Sequence, residues 1–355
     1  MGMKRPQLTL AAPALFAAFV FAAGSQAYAR PHWKFAAPLP KAIGEIYGTS
    51  VGGKIYVLGG LDNRPGVVRP TGYNWEYDPA TDKWTAKKPM PRPAHHIMIA
   101  AWHKKIYVFG GFVRPKGLVA WQPINNSWVY DPAANSWKAL APMPTPRGAG
   151  EAVALGNEIY VLGGANSNKP GDPGAPIRLG STDQLVLGTV EAYDPLTNKW
   201  QGRTPMPTPR NHFLAAAVGG KIYAVDGRIG TCFVTKSDVI DLVEGYDPKT
   251  NRWAFVSRDR IRRGDVVGAA HDGLIYLAGG EFQDWARKMT LWAVETFDPA
   301  TGVWRTLPHM QIARHGFAAA FVGNQFHVMG GGFQSDGMPR VVVVTATHEV
   351  LDLGK

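Results

Sequence analysis

One cysteine, Cys232, stands in 355 residues, so no intramolecular disulfide can form and stability has to come from packing. Paired-cysteine zinc patterns are excluded with it, and HExxH, Walker A and EF-hand patterns are absent too. The 38 Lys and Arg residues outnumber the 27 acidic ones but nowhere form a basic block, which argues against nucleic acid as a partner. A dispersed positive charge instead favours acidic partners such as anionic polysaccharide, acidic sugars or membrane headgroups. After the first 29 residues no apolar run is long enough to span a bilayer.

The N-terminal segment is read separately. Lys4 and Arg5 precede an apolar stretch from Leu8 to Ala23, and Ala27-Tyr28-Ala29 follows as a small-x-small site, the three parts of a secretory signal. The stretch is short, contains Pro13 and has no basic stop-transfer cluster after it, which argues against a membrane anchor. The arginine pair of a twin-arginine signal is also missing. Residues 1–29 are therefore expected to be a signal peptide, residues 30–355 the folded part, and the location secreted or periplasmic. Without residues 1–29 the net charge falls from +11 to +9, because that segment holds two bases and no acid.

What the chain has in quantity is tryptophan at a fixed period. Trp33, Trp84, Trp137, Trp200, Trp253 and Trp304 recur about every fifty residues, the spacing of a repeat architecture. In each interval an apolar run ends on a glycine pair, as from Ile55 to Gly60 or Ile106 to Gly111, with Asp226 replacing the first glycine before Gly227. An aromatic residue then precedes Asp-Pro, at Tyr77-Asp78-Pro79, Tyr130-Asp131-Pro132, Tyr193-Asp194-Pro195, Tyr246-Asp247-Pro248 and Phe297-Asp298-Pro299. The apolar runs read as paired strands, and Asp-Pro as a turn into a last short strand carrying the tryptophan. Each repeat therefore predicts four strands, with its tryptophan buried between neighbouring repeats.

Glycine pair, aromatic-Asp-Pro and tryptophan in this order resemble the kelch repeat, and the resemblance covers the chain after the N-terminal segment. It implies an all-β, six-bladed kelch β-propeller in which each repeat is one blade around a central channel. The last repeat has Leu351-Asp352 in place of Tyr-Asp and stops before any tryptophan, whereas Trp33 stands ahead of the first full repeat. The last blade is thus expected to be closed by pairing of the N-terminal strand with the C-terminal strands, which removes free sheet edges.

Candidate site residues follow from aligning the repeats. Twelve residues before each second strand stand Ile43, Ala94, Arg147, Arg210, Arg263 and Arg314. Two residues further on stand Glu45, His96, Ala149, His212, Asp265 and Gly316, with His95, Asn211 and His315 just before three of them. Ring symmetry should bring both sets to one end of the channel, together with the loops that follow the glycine pairs. Arginines there can bind an anion or pair with a carboxylate of a neighbouring blade. Two histidines and two carboxylates in one layer have the chemistry for acid–base work or a metal. Because the alignment puts them on separate blades, they are read as polar binding groups, and no catalytic residue, metal or cofactor is assigned. Trp121 and Trp285 fall outside the repeat's own tryptophan position and are read as ligand-facing aromatics, with packing on a neighbouring loop the alternative. The Pro- and Gly-rich loop from Ala165 to Gly188 is expected to cap the same face in part. The nucleophile-elbow match at Gly48-Thr49-Ser50-Val51-Gly52 lies inside a strand pair with no helix after it, and is set aside.

These features predict an exported, monomeric binding module that recognises a carbohydrate or protein ligand at the channel mouth without catalysis. An alternative is a sugar-acid epimerase or mutarotase resembling the periplasmic N-acetylneuraminate epimerases, which share the signal peptide and the six blades. A third, a copper enzyme resembling galactose oxidase, needs seven blades and a cysteine-crosslinked tyrosine. Six repeats are counted here.

Overall fold

The computed structural model describes residues 1–2, 31–62, 69–178, 181, 183–231, 238–284, 287–334 and 343–354. Among them lie six four-stranded antiparallel sheets, one per repeat. Blade 1 runs from the axis outward as Tyr47–Val51, Lys54–Leu58, Asn74–Asp78 and Lys83–Ala86. Blades 2 to 5 begin at Met98, Glu151, Leu214 and Val267. Blade 6 has Ala318–Val322, Gln325–Met329 and His348–Asp352, and its outer strand is His32–Phe35, with Trp33 opposite Leu351. The closure expected from the two chain ends is therefore present. No helix of the described residues is long and apolar enough to cross a membrane.

The second strands, such as Ile55-Tyr56-Val57-Leu58, are apolar on both faces because each blade is sandwiched between two others. Six hydrophobic clusters result, one at each blade interface. In one of them Tyr56 and Leu58 of blade 1 pack on Ile106, Val108 and Tyr130 of blade 2.

The repeating tryptophans do something more specific than fill these cores. They remain partly exposed at the rim, a correction to the expectation of burial, because each reaches back to the preceding blade. The Nε1–H of Trp84, Trp137, Trp200 and Trp253 donates to the carbonyl of Ala37, Lys88, Ala141 and Thr204 at 2.8–3.0 Å. A second clip lies beside it: Asn135 Oδ1 accepts from Tyr130 Oη–H and from the backbone N–H of Lys88 in blade 1. Asp82, Asn198 and Asn251 do the same for Tyr77, Tyr193 and Tyr246. Blade 5 lacks both halves, with Phe297 for the tyrosine and Gly302 for the acceptor.

The glycine pairs mark where the next blade comes closest. Gly111 N–H donates to Arg147 O, Gly164 to Arg210 O and Gly331 to Ile43 O, each at 2.9 Å. The residues before them are left-handed, and a Cβ at Gly163 would lie 2.6 Å from the Arg210 carbonyl, so glycine is required.

Candidate active site in the central channel

Six segments lead into the inner strands from one face of the ring, and each makes the same backbone step. Glu45, His96, Ala149, His212, Asp265 and Gly316 all have φ between 49° and 59°. For residues with a Cβ this conformation costs roughly 1–2 kcal/mol, and Ala149 shows that the architecture imposes it whatever the side chain. At three of these positions the N–H is turned toward the preceding hub residue: Ala149 donates to His96 O, His212 to Ala149 O and Asp265 to His212 O, at 2.7–2.9 Å. The aligned residues therefore form a contiguous hub on the axis. Although they stand on separate blades, they meet at one end of the channel.

The hub side chains are buried and interlocked. His96 Nε2 lies 3.1 Å from Glu45 Oε2, and the His96 and His212 rings meet edge to face at 4.7 Å. His315 Nδ1 lies 2.7 Å from Asp265 Oδ2 and 3.9 Å from Glu45 Oε1, while its Nε2 faces Gln334 O at 2.6 Å. His212 Nδ1 donates to Asn211 Oδ1 at 2.6 Å, and His95 Nδ1 meets His96 Nδ1. At Gly316 a Cβ would stand 2.9 Å from the Glu45 carboxylate, which explains the glycine there. Arg228, buried and paired with Glu281, lends positive charge to His212 and Asp265.

Below the hub the channel holds a cavity of about 380 Å³. Its walls are the inner strands, rich in small residues such as Ala215, Ala216, Ala217, Ala319 and Ala320. Its polar lining includes Tyr47, Thr49, Ser50, Glu151, His212 and Asp265. Burial, reinforced by the positive charge of Arg228 and by His96, pushes the His212 imidazole well below its ordinary range, so it is neutral. Burial opposes ionisation of Asp265, but the hydrogen bond from His315 and the positive groups around it win and hold this carboxyl below its ordinary range. Glu151, deep in the channel but partly reached by water, moves the opposite way: burial first, then the nearby Asp265, push its carboxyl well above the usual range.

Of the residues singled out in the sequence, Glu45, His96, His212 and Asp265 meet in the hub. The aligned arginines do not reach a ligand. Arg147, Arg210, Arg263 and Arg314 are completely buried, and each pairs with a third-strand carboxylate of its own blade: Glu191, Glu244, Glu295 and Glu349, at 2.6–2.8 Å. This corrects the anion-binding expectation, because a guanidinium already neutralised and enclosed presents no donor to the channel. Trp121 is corrected too. It is 4% exposed, packs edge-on against His95 at 4.4 Å, and lies in a small core with Leu61, Phe112 and Ile177. Ile177 belongs to the long loop of blade 3, whose strand Ile177–Arg178 pairs with Ala120 and Trp121, so that loop covers blade 2. Trp285 lies outside the described residues.

Glu151 was not found in the sequence, although a signal exists. Two residues after each hub position stand Tyr47, Met98, Glu151, Leu214, Val267 and Ala318, and Glu151 alone is charged. The arginine partners had a signal as well. The four repeats with arginine carry Glu two residues before the aromatic-Asp position, where the repeats with Ile43 and Ala94 carry Trp75 and Trp128.

Comparison with known proteins places these features. A profile described as the KLHDC2/KLHL20/DRC7 Kelch-repeats domain matches residues 45–202, and the Kelch motif matches residues 209–258. Kelch-like protein terF of Aspergillus terreus is 28% identical over 86% of this chain and 64% of its own length. Kelch-like protein 23 of Homo sapiens is 25% identical over 82% of this chain and 46% of its own. Alpha-scruin of Limulus polyphemus is 26% identical over 77% of this chain and 28% of its own. The chain thus spans less than two thirds of the length of each of these relatives. Among solved structures, that of YjhT superposes with a TM-score of 0.68 and 18% identity, covering 87% of this chain and 99% of that one, which is a likeness of fold. With its six blades, closing strand, glycine pairs and tryptophan clips, the chain belongs to the kelch-repeat β-propeller family.

Proposed function

We propose that this chain is an exported sugar epimerase or mutarotase that moves protons on a small cyclic sugar held in the channel. The observation that carries this reading is the pair Glu151 and Asp265: two carboxyl groups line one cavity, and their surroundings shift their proton affinities in opposite directions. Such a division assigns a general acid and a general base. The cavity is of small-molecule size, within the span of about 300–1,000 Å³.

For anomer exchange, Glu151 donates its proton to the ring oxygen while Asp265, oriented by His315, accepts the proton of the anomeric hydroxyl. The bond between anomeric carbon and ring oxygen breaks, leaving a carbonyl and a free hydroxyl. Rotation about the adjacent carbon–carbon bond and closure with the two roles reversed gives the other anomer and restores both groups. The aligned arginines are consumed by their own blades and Arg228 by Glu281, and no Lys or Arg is among the residues lining the cavity, which favours a neutral sugar over a sugar acid. The test is the rate of anomer exchange, followed by magnetisation transfer, across neutral hexoses and sugar acids. Acceleration of one of them, lost about 100-fold in Glu151→Gln as the usual scale of acid–base catalysis, supports the reading. No acceleration of any sugar overturns it.

A second reading, a non-catalytic module for an acidic carbohydrate or protein, is favoured by a separate surface groove. It is lined by Arg69, Arg92, Arg114 and Lys116 beside the exposed Leu118 and Val119, with no carboxylate among its lining residues. Ligand binding weakened by Arg92→Ala but not by Glu151→Gln would select this reading.

A further inference from the structure

The hub holds ligand-type side chains beyond those that move protons. Glu45, His96 and His212 come from blades 1, 2 and 4, and each offers a ligand atom, all within 4.8 Å of one another. We propose that these three residues bind one divalent first-row transition-metal ion, with Zn²⁺ or Cu²⁺ the best match to two imidazoles and a carboxylate.

Four observations support this. The backbone of the hub is fixed by inter-blade hydrogen bonds, among them those joining Ala149 to His96 and His212 to Ala149, so the ligands are held in place before an ion arrives. Asn211 Oδ1 accepts the Nδ1 proton of His212, which sets the tautomer with its lone pair on Nε2, the outer-shell arrangement that orients metal-bound histidines. Of the three, His212 also lines the channel cavity of about 380 Å³, which would give water or a ligand a route to an open coordination position. A dication would, finally, offset the two carboxylates, Glu45 and Asp265, that the hub buries together. Asp265 and His315 form a second set with Glu45 at the same spacing. There His315 is committed through Nδ1 to Asp265 and through Nε2 to Gln334 O, so the ion is assigned to the His96 and His212 side of Glu45.

The site is independent of the acid–base reading, and the experiment keeps the two apart. Full-length purified protein, stripped with chelator and dialysed, is titrated with Zn²⁺ by calorimetry and with Co²⁺ by its visible d–d absorption. One ion per chain is expected, with the Co²⁺ spectrum of a four- or five-coordinate nitrogen and oxygen site. His96→Ala and His212→Ala should each weaken binding about 100-fold, and Asn211→Ala about 10-fold, as for loss of an outer-shell partner. Glu45→Gln keeps the side-chain shape and should also lose most of the affinity, which guards against a variant that fails to fold. Glu151→Gln should leave metal affinity unchanged. Absence of Co²⁺ absorption and Zn²⁺ heat in the unmodified protein overturns the proposal, as does equal affinity in folded His96→Ala or Glu45→Gln. Metal binding without sugar turnover sinks the enzyme reading alone.

Discussion

The indole Nε1–H of Trp33 donates to the carbonyl of Pro308 at 2.7 Å, joining the first strand of the fold to the loop that leaves blade 5. It is the same contact that Trp84 makes to Ala37 and Trp137 to Lys88, carried out by the strand that closes the ring. Trp33→Phe keeps the ring and removes the donor, and should cost on the order of 1 kcal/mol, the worth of one such hydrogen bond. Deletion of His32–Phe35 should cost far more, because it bares the edge of His348–Asp352 and the interface to blade 5 at once. Chemical denaturation of the two variants measures the difference, and equal losses would contradict a closing role for the strand.

The buried arginines give a sharper test. Arg210 is paired with Glu244 and donates to the Asp226 and Leu242 carbonyls. Arg210→Ala should cost about 3–5 kcal/mol, since it leaves a buried carboxylate without its counter-charge. Blade 1 shows the apolar solution at the same two positions, Ile43 with Trp75. The double variant Arg210→Ile with Glu244→Trp is therefore expected to recover most of that loss, read as a coupling energy in a double-mutant cycle. Neither single nor double variant should change ligand affinity at the channel if the blade stays folded.

That exchange of Arg–Glu for Ile–Trp also shows what was legible in the sequence. Period, blade number and closure could be read because the motif residues each satisfy a local need that recurs around the ring: left-handed glycines, a turn at Asp-Pro in five repeats, an indole donor at the rim in all six. The hub positions could be located for the same reason. Their meeting could not be read, because the hydrogen bonds from His212 to Ala149 and from Asp265 to His212 depend on how far the inner strands lean toward the axis. Trp121 was misplaced because its partner, Ile177, lies in the loop of another repeat, beyond what an alignment of repeats compares.

Burial of Trp121 changes the expected effect of its substitution. Trp121→Ala should destabilise by about 3–5 kcal/mol, as for other large buried aromatics, and should loosen the strand Ile177–Arg178 that pairs with it. Hydrogen exchange at Ile177 and Arg178 reports the second effect. An unchanged melting transition would return Trp121 to the surface role that its sequence position suggested.

Asp226 carries the last prediction. It stands where the other repeats have the first glycine of the pair, keeps the left-handed φ of 59°, and is fully buried against Arg263. Arg263 already has Asp259 at 2.8 Å and Glu295 at 2.6 Å. Burial, followed by the charge of Asp259, pushes the Asp226 carboxyl well above its ordinary range, against the pull of Arg263. The folded state then holds this proton more tightly than the unfolded state, whose aspartate titrates at about 3.9. Below that pH both states are protonated and the contribution is fully present. As the pH rises, the unfolded chain ionises first, and stability from this residue is lost until the raised folded value is passed. Asp226→Asn removes the titration, tolerates the left-handed conformation and retains an amide for Arg263 to meet. It should be more stable than the parent at pH 7, with the gap shrinking toward pH 4. Denaturant melts of both proteins at the two pH values decide it. A loss of equal size at both would mean that the ion pair with Arg263 outweighs the burden of a third buried carboxylate.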